Sequence, residues 1–486
     1  MTSKSRSEKK IPLTIQAPDN ATEIFLVSNR FERIESGIGK LEQSVSPGLY
    51  KVRFRSGMTQ EDRLIEVGNN QSQVVFKEPP LSFESTTPLL NTHEDNARQR
   101  TIASQQSGKV HLKAGKGSRL FLFIRHQHSG SSENPGEGVT LHSLEGKTIA
   151  GMDDGIHNSE NGCWCLQVEL DPGTYRLQVD TGALGTFERF LVACENWQTL
   201  FFGMTTDFSL RESEAVEEHI TRVLLKSSSV HMMKTGKIFD PASASSRMTE
   251  LSKIALESGR TVVDENSFGK LFAENIDNPM FGIYGAHQLL TNRRPDYTII
   301  DAIAGKLESL IGPHPDVLSL WLRKSSDRLD KKSFALSSPP MLTRSWELLT
   351  RESLRRSSIV PEGSFSDLFS NGMLSTAPWL LHRVTMEPET GSGTPSRART
   401  QEMLGDLARI SGTTKGFSML DAALKERKDL TQLEHSIAQA MLNQAQHHSA
   451  PLPSLNKLVE NFTVPSVAIK RSTKSLFEKL ELKQKG

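Results

Sequence analysis

The chain has 486 residues, of which 36% are hydrophobic and 24% charged, and its formal net charge is +1. That balance is globular, suggests about three domains, and supplies no global field to draw in nucleic acid or a membrane surface. Three cysteines, Cys163, Cys165 and Cys194, make no paired framework and point to a reducing compartment.

No run of about 18 apolar residues occurs, so no membrane span is expected. The early lysines lead into no apolar secretory stretch either, and a cytoplasmic protein is expected. Residues 1–10 read as disordered. From Ile11 the pattern is strand-like: Ile11, Leu13 and Ile15 alternate with polar residues, and Ile24 to Val27 form a short apolar strand. Gly37 and Gly39 mark a turn. The segment from Pro47 to Gly57 then opens with Pro-Gly, which suits a tight turn. It continues as Tyr50, Val52 and Phe54 alternating with Lys51, Arg53 and Arg55. Leu64 and the run Val74 to Phe76 complete a first β-sandwich over 11–80.

Residues 81–107 are polar and hydroxyl-rich and read as a linker with room for one short helix. A second β-sandwich is expected over 108–203. It contains the apolar run Leu120 to Ile124, a glycine- and serine-rich loop over Ser129 to Gly138, and a hairpin turn at Glu145-Gly146. Strand alternation places Cys163 and Cys165 on one face and Trp164 on the other, as buried structural thiols. The Pro-Gly-x-Tyr phrase returns as Pro172-Gly173-Thr174-Tyr175, followed by Arg176, Leu177, Gln178 and Val179 in the same register. Two copies of one phrase mean two related β-units. They resemble the PEGA-like and carboxypeptidase-regulatory-like β-sandwich modules of bacteria. The resemblance implies an Ig-like fold that holds partners or neighbouring domains, and it brings no catalytic residue.

Residues 204–245 read as a linker with a short helix from Glu212 to Lys226. From Met248 the apolar period becomes helical, and a helical domain is expected over 246–386. Asn278-Pro279 opens a helix carrying Tyr284, Gly285 and His287, and Ile299 to Ile311 form a clear stripe. This half resembles a region of uncharacterised bacterial multidomain proteins, which brings no assigned activity. Residues 387–400 form a Pro/Gly-rich linker, and 401–486 a C-terminal helical region ending in a basic tail. The expected fold is thus multidomain, with two small antiparallel Ig-like sandwiches followed by an all-α half.

The candidate chemistry is sparse. His287 could act as a base near Tyr284, with Asp277, Asp296 or Asp301 in reach, or could bond a backbone carbonyl between helices. His314-Pro315-Asp316 matches the tripeptide of J-domains, yet also suits a loop with Asp316 capping the next helix. His126 and His128 share a strand face, and His142 and His157 lie in the same unit, but no matched spacing completes a metal site. His447 and His448 suit a helix C-terminus. The glycines and lysines of Gly108 to Gly117 close no phosphate loop. No catalytic, cofactor-binding or metal residue is therefore assigned. The expected function is a non-enzymatic adaptor or scaffold binding one or more proteins, as a component or substrate of a protease-linked bacterial defence or stress system. The alternative is a hydrolase with its site near Tyr284 and His287.

Overall fold

The computed structural model describes residues 10–480 except 18, 20–21, 80, 93–95, 127–132, 181–184, 206–224, 226–227, 261–276, 293, 323–334, 354, 385–396, 412, 427–429 and 447–463. All but Leu225 of the expected helix of 212–226, residues 387–396 of the expected 387–400 linker, His128, His447 and His448 fall outside the described residues, and 397–400 are helical.

The first unit is one seven-stranded sheet. Its strands are β1 (Ile11–Gln16), β2 (Glu23–Val27), β3 (Arg33–Ile38), β4 (Lys40–Val45), β5 (Gly48–Ser56), β6 (Thr59–Val67) and β7 (Val74–Lys77). The spatial order is β6-β5-β2-β3-β4-β1-β7. The glycine turn at Gly37 and Gly39 proves to be the tight link between β3 and β4, with Gly39 at a φ of 66°. Tyr50, Val52 and Phe54 are buried, and the basic residues between them face outward. Phe54 stacks near Phe76 at 6.0 Å, and Arg63 of β6 meets Glu78 just past β7 at 2.8 Å. The two ends of the sheet are thereby drawn together around a core of their own.

The second unit is built on β8 (Leu112–Lys113), β9 (Ser118–His126), β10 (Val139–Ser143), β11 (Thr148–Ala150), β12 (Ile156–Asn158), β13 (Cys163–Leu170), β14 (Gly173–Asp180), β15 (Thr186–Ala193) and β16 (Trp197–Thr205). Three strands reach it from later in the chain: β17 (Ser229–Lys234), β18 (Met373–Thr376) and β19 (Trp379–Arg383). One sheet runs β11-β10-β14-β15-β19-β18. The other runs β12-β13-β9-β16-β17, with β8 beside β13.

Three expectations change here. Two of the three sheets are mixed, since β1–β7, β8–β13 and β9–β16 are parallel pairs, while the sheet β11-β10-β14-β15-β19-β18 is antiparallel throughout. The later half is also not purely helical. Trp379, Leu380 and Leu381 lie inside a sheet, where a continuous apolar run satisfies burial on both faces. Residues 81–92, read as a polar linker, carry the buried Leu81, Phe83, Thr87 and Leu89 instead of running free over the surface.

The helices are α1 (Ala97–Gln106), α2 (Ala244–Glu257), α3 (Pro279–Leu289), α4 (Tyr297–Ile311), α5 (Pro315–Trp321), α6 (Thr343–Ser353), α7 (Phe365–Leu368), α8 (Arg397–Ser411), α9 (Thr414–Glu426), α10 (Gln432–Gln446) and α11 (Ser466–Lys479). Asp296 caps α4 by accepting from Thr298 N at 2.8 Å, and the apolar stripe of α4 buries Ile300, Ile303 and Leu307. These residues, with Phe281 and Tyr284 of α3, share one core with both sheets of the second unit. Helices α8 to α11 pack around a separate core of Leu404, Leu407, Ile437, Met441 and Leu476. Among the described residues no helix is long and apolar enough to cross a membrane.

The first unit docks on α2 and the residue stretch just after it through two arginines. Arg247 reaches Asp19 at 3.0 Å, Ser56 Oγ at 3.2 Å and the Leu81 carbonyl at 3.0 Å, with its guanidinium 4.6 Å from the centre of the Phe83 ring. Arg260 adds a 2.7 Å bond to the Gly57 carbonyl at the tip of the β5–β6 hairpin.

Candidate functional site

The repeated phrase has a physical reason. Tyr50 donates its hydroxyl to the Ser46 carbonyl, and Tyr175 donates to the Asp171 carbonyl at 2.8 Å. In each case the acceptor is the residue before the proline, so the ring folds back and closes the turn that starts the strand.

Four sealed side chains gather where α3, α5 and α6 meet. His287, Asp316 and Ser345 have no solvent exposure, and His314 is 1% exposed. Asp316 Oδ1 accepts from Leu342 N at 2.9 Å and from Ser345 Oγ at 2.6 Å, while Oδ2 accepts from Met341 N at 3.0 Å. It therefore holds the start of α6. The N-cap of α5 is His314, whose Nδ1 accepts from Asp316 N at 3.2 Å, in place of the expected Asp316. His287 Nε2 lies 3.1 Å from the Asp316 carbonyl and 3.2 Å from Ser345 Oγ. A carbonyl only accepts, so His287 carries its proton on Nε2 and donates it there.

Serine, histidine and aspartate thus stand together, but in the wrong order for nucleophilic catalysis. A triad needs the serine proton to pass to a free histidine nitrogen, with the carboxylate behind the other one. Here Ser345 gives its proton to Asp316, and the nitrogen of His287 that faces Ser345 is already protonated. Burial pushes His287 down to about 4 and lowers His314 as well, so both stay neutral. Tyr284, expected beside His287, donates instead to the Val230 carbonyl of β17 at 2.8 Å, and burial raises its phenol well above the ordinary value. Asp277 lies near Lys237, and Asp296 is spent as a cap.

A second sealed cluster centres on Glu250 of α2. Ser229 Oγ donates to it at 2.9 Å, Thr87 Oγ1 at 3.0 Å, and Lys253 Nζ lies 3.4 Å away. Desolvation drives this carboxyl upward, but the Lys253 charge and the His231 and Ser229 hydrogen bonds outweigh it and hold it at about 2. His231 Nδ1 accepts from Asn278, so the imidazole is tied between α2, α3 and β17.

The third cluster lies on the sheet where β19 joins β15. Glu188 and His382 are opposed in the ladder, with Glu188 Oε1 2.7 Å from His382 Nδ1. Glu188 Oε2 takes Arg176 Nε and Gln178 Nε2, both at 2.8 Å. On the next position Arg189 is wholly buried, with its guanidinium 3.4 Å from the centre of the Trp379 ring. Phe369 lies against the same junction, 5.2 Å from Phe190 and 5.0 Å from His382. Sequence reasoning passed over Glu188, Arg189 and His382. A signal existed in the charged pair Glu188-Arg189 inside the apolar run Phe187 to Ala193.

The remaining candidates lie apart. His126 bonds Thr205 Oγ1 at 2.7 Å and the Glu133 carbonyl at 3.0 Å, and His142 sits between Thr140 and Thr148. His157 is exposed on β12 opposite Trp164. Cys163, Cys165 and Cys194 are free and buried. Among the described residues no group of three or more histidines, cysteines, aspartates and glutamates is placed to hold a metal. An open groove of about 550 Å³ runs between α1 and Asp240 to Ala242, and its charged groups are engaged: Arg100 bonds the Leu89 carbonyl and Asp240 accepts from Ala242 N.

No family model matches the chain, and no curated protein matches it. Among solved structures it is similar to the Bacillus anthracis TIE protein at 14% identity, over 40% of this chain and 33% of that one, with a TM-score of 0.17. The chain therefore spans about a third of that protein's length, and a likeness of that size carries no argument.

Proposed function

We propose that the chain is a non-enzymatic interaction adaptor, in which Ig-like modules of the PEGA kind offer a surface to partner proteins while the helical half fixes their placement. The observation that carries this is the distribution of exposed apolar side chains. Among the described residues seven large apolar side chains are more than half exposed, and five of them, Phe31, Leu49, Met58, Leu64 and Val75, belong to the first unit, the other two being Ile238 and Tyr297. Lys51, beside Phe31 at 5.8 Å, stands directly opposite Leu64 in the ladder, so apolar groups flank one base on one face. The sealed quartet at His287 supports the same reading, because its hydrogen bonds tie helices and leave no nucleophile facing a base.

Three free buried thiols suit a reducing compartment, and we place the adaptor in the cytoplasm. Membership of a protease-linked bacterial system belongs to the same proposal. It rests on the polar sequence of residues 204–228 and 387–396, since Ser229–Lys234 form β17 and α8 starts at Arg397. Capture of the tagged full-length chain from its native lysate, read by mass spectrometry, tests the function. A stoichiometric protein partner is expected. A bare chain that also hydrolyses a chromogenic ester, with the activity lost in His287→Ala, would overturn the reading.

A further inference from the structure

The two β-units match beyond the repeated phrase. In the first, Gly48 opposes Val67, Lys51 opposes Leu64 and Arg53 opposes Asp62. In the second, Gly173 opposes Ala193, Arg176 opposes Phe190 and Gln178 opposes Glu188. The registers superimpose, so Asp62 takes the place of Glu188 and Leu64 that of Phe190. The local chemistry repeats too. Glu188 takes Arg176 and Gln178; Asp62 takes Lys51 at 3.2 Å and Arg53 at 2.7 Å, from the same two positions of the preceding strand. The Arg53 hydrogen bond, with Lys51 beside it, holds Asp62 at about 2.

The difference lies in what covers them. In the second unit β19 pairs with β15, His382 meets Glu188, and Phe369 covers Phe190, leaving Glu188 and Phe190 with no exposure. In the first unit β6 is the last strand of its sheet, and among the described residues only β5 pairs with it. Leu64 is 70% exposed and the Asp62 side chain 39%. The hairpin turn at Gly57-Met58 makes Ser56 and Thr59 a hydrogen-bonded pair, so alternation turns the amides of Asp62 and Leu64 away from β5.

We infer that β6 is an acceptor for an extended strand of a partner protein. That strand would carry a histidine or another cation opposite Asp62, and the partner would cover Leu64 with a large apolar side chain, as His382 and Phe369 do within this chain. Main-chain hydrogen bonds supply the affinity and these two side-chain contacts the selection. The inference rests on the adaptor reading and gives it a site and a partner chemistry.

The test uses the full chain and a synthetic peptide of sequence 373–383, which contains β18 and β19, with hydrogen exchange to locate binding. Saturable binding that slows exchange at the amides of Asp62 and Leu64 is expected. Leu64→Pro, which removes an outward amide and no β5 hydrogen bond, should weaken it by about tenfold, as should a glutamate in place of the peptide's histidine. Should Leu64→Pro fail to fold, Asp62→Lys serves instead, and the glutamate peptide should then bind it better than the histidine peptide does. Absence of binding, binding indifferent to these changes, or a dimer of the full chain that already protects β6 would overturn the site. A lysate partner retained equally by Leu64→Pro would also overturn it and leave the adaptor reading standing.

Discussion

His382 and Glu188 stand face to face across the β15–β19 ladder, 194 positions apart in the chain and 2.7 Å apart in space. Desolvation works to raise the Glu188 carboxyl, but the His382 contact and the Arg176 charge hold it below its ordinary value. Deleting the carboxylate leaves a half-buried guanidinium and an imidazole facing a void. Glu188→Ala should cost about 3 kcal/mol of stability in urea unfolding, with Glu188→Gln costing less. A double-mutant cycle with His382→Ala should show coupling, because the two changes remove one shared contact.

The histidine of the sealed quartet sets a pH dependence. His287 falls from an ordinary 6.5 to about 4 on folding, so between those values the unfolded chain binds the extra proton. Stability is then full above pH 6.5 and declines as the pH falls toward 4, by about 3 kcal/mol for this group. His314, also lowered by burial, acts in the same direction. Glu250 extends the loss below its ordinary 4.5, down toward 2. Urea midpoints should be level from pH 8 to about 6.5 and then fall toward pH 4, and His287→Gln should flatten that fall by up to one proton. A curve that is level from pH 6.5 to 4 in the parent chain would contradict the neutral buried imidazole.

Tyr50 and Tyr175 should behave alike. Each phenylalanine variant keeps the ring and loses the bond to the carbonyl before the proline, so each should cost about 1 kcal/mol. Tyr175→Phe should lower the melting temperature without changing the far-ultraviolet spectrum. A neutral result at both sites would remove the explanation given for the repeated phrase.

The three thiols give a reactivity prediction. Burial raises Cys163 to about 11 and Cys165 and Cys194 to about 12, so almost no thiolate exists at neutral pH. A thiol reagent added to the native chain should label none of them, and labelling should follow the unfolding transition in urea. Fast native labelling at any of the three would place that thiol at the surface.

What the sequence made legible was local. Pro-Gly-x-Tyr fixes a turn and a strand by its own backbone and side-chain chemistry, and both strands stand where alternation put them. The stripe from Ile299 to Ile311 identified α4 for the same reason. Distant pairing was not legible. Ser229 to Lys234 and Trp379 to Arg383 become strands because β16 and β15 offer them open edges, which no short window of sequence can reveal. Three of the quartet were visible: His287, His314 and Asp316 drew notice, while Ser345 is one serine among many and is marked only by its neighbours.

The borrowed strands also impose an order on synthesis. The first unit has its own core and all seven of its strands by Lys77, so it can close while the rest of the chain is still being made. The second unit has to wait for β19, far downstream, and until then β15 and β16 stand as open edges with their apolar faces bare. The nascent chain is therefore exposed to mispairing while the stretch from β16 to β19 is being made, and that interval is when it would depend on chaperones.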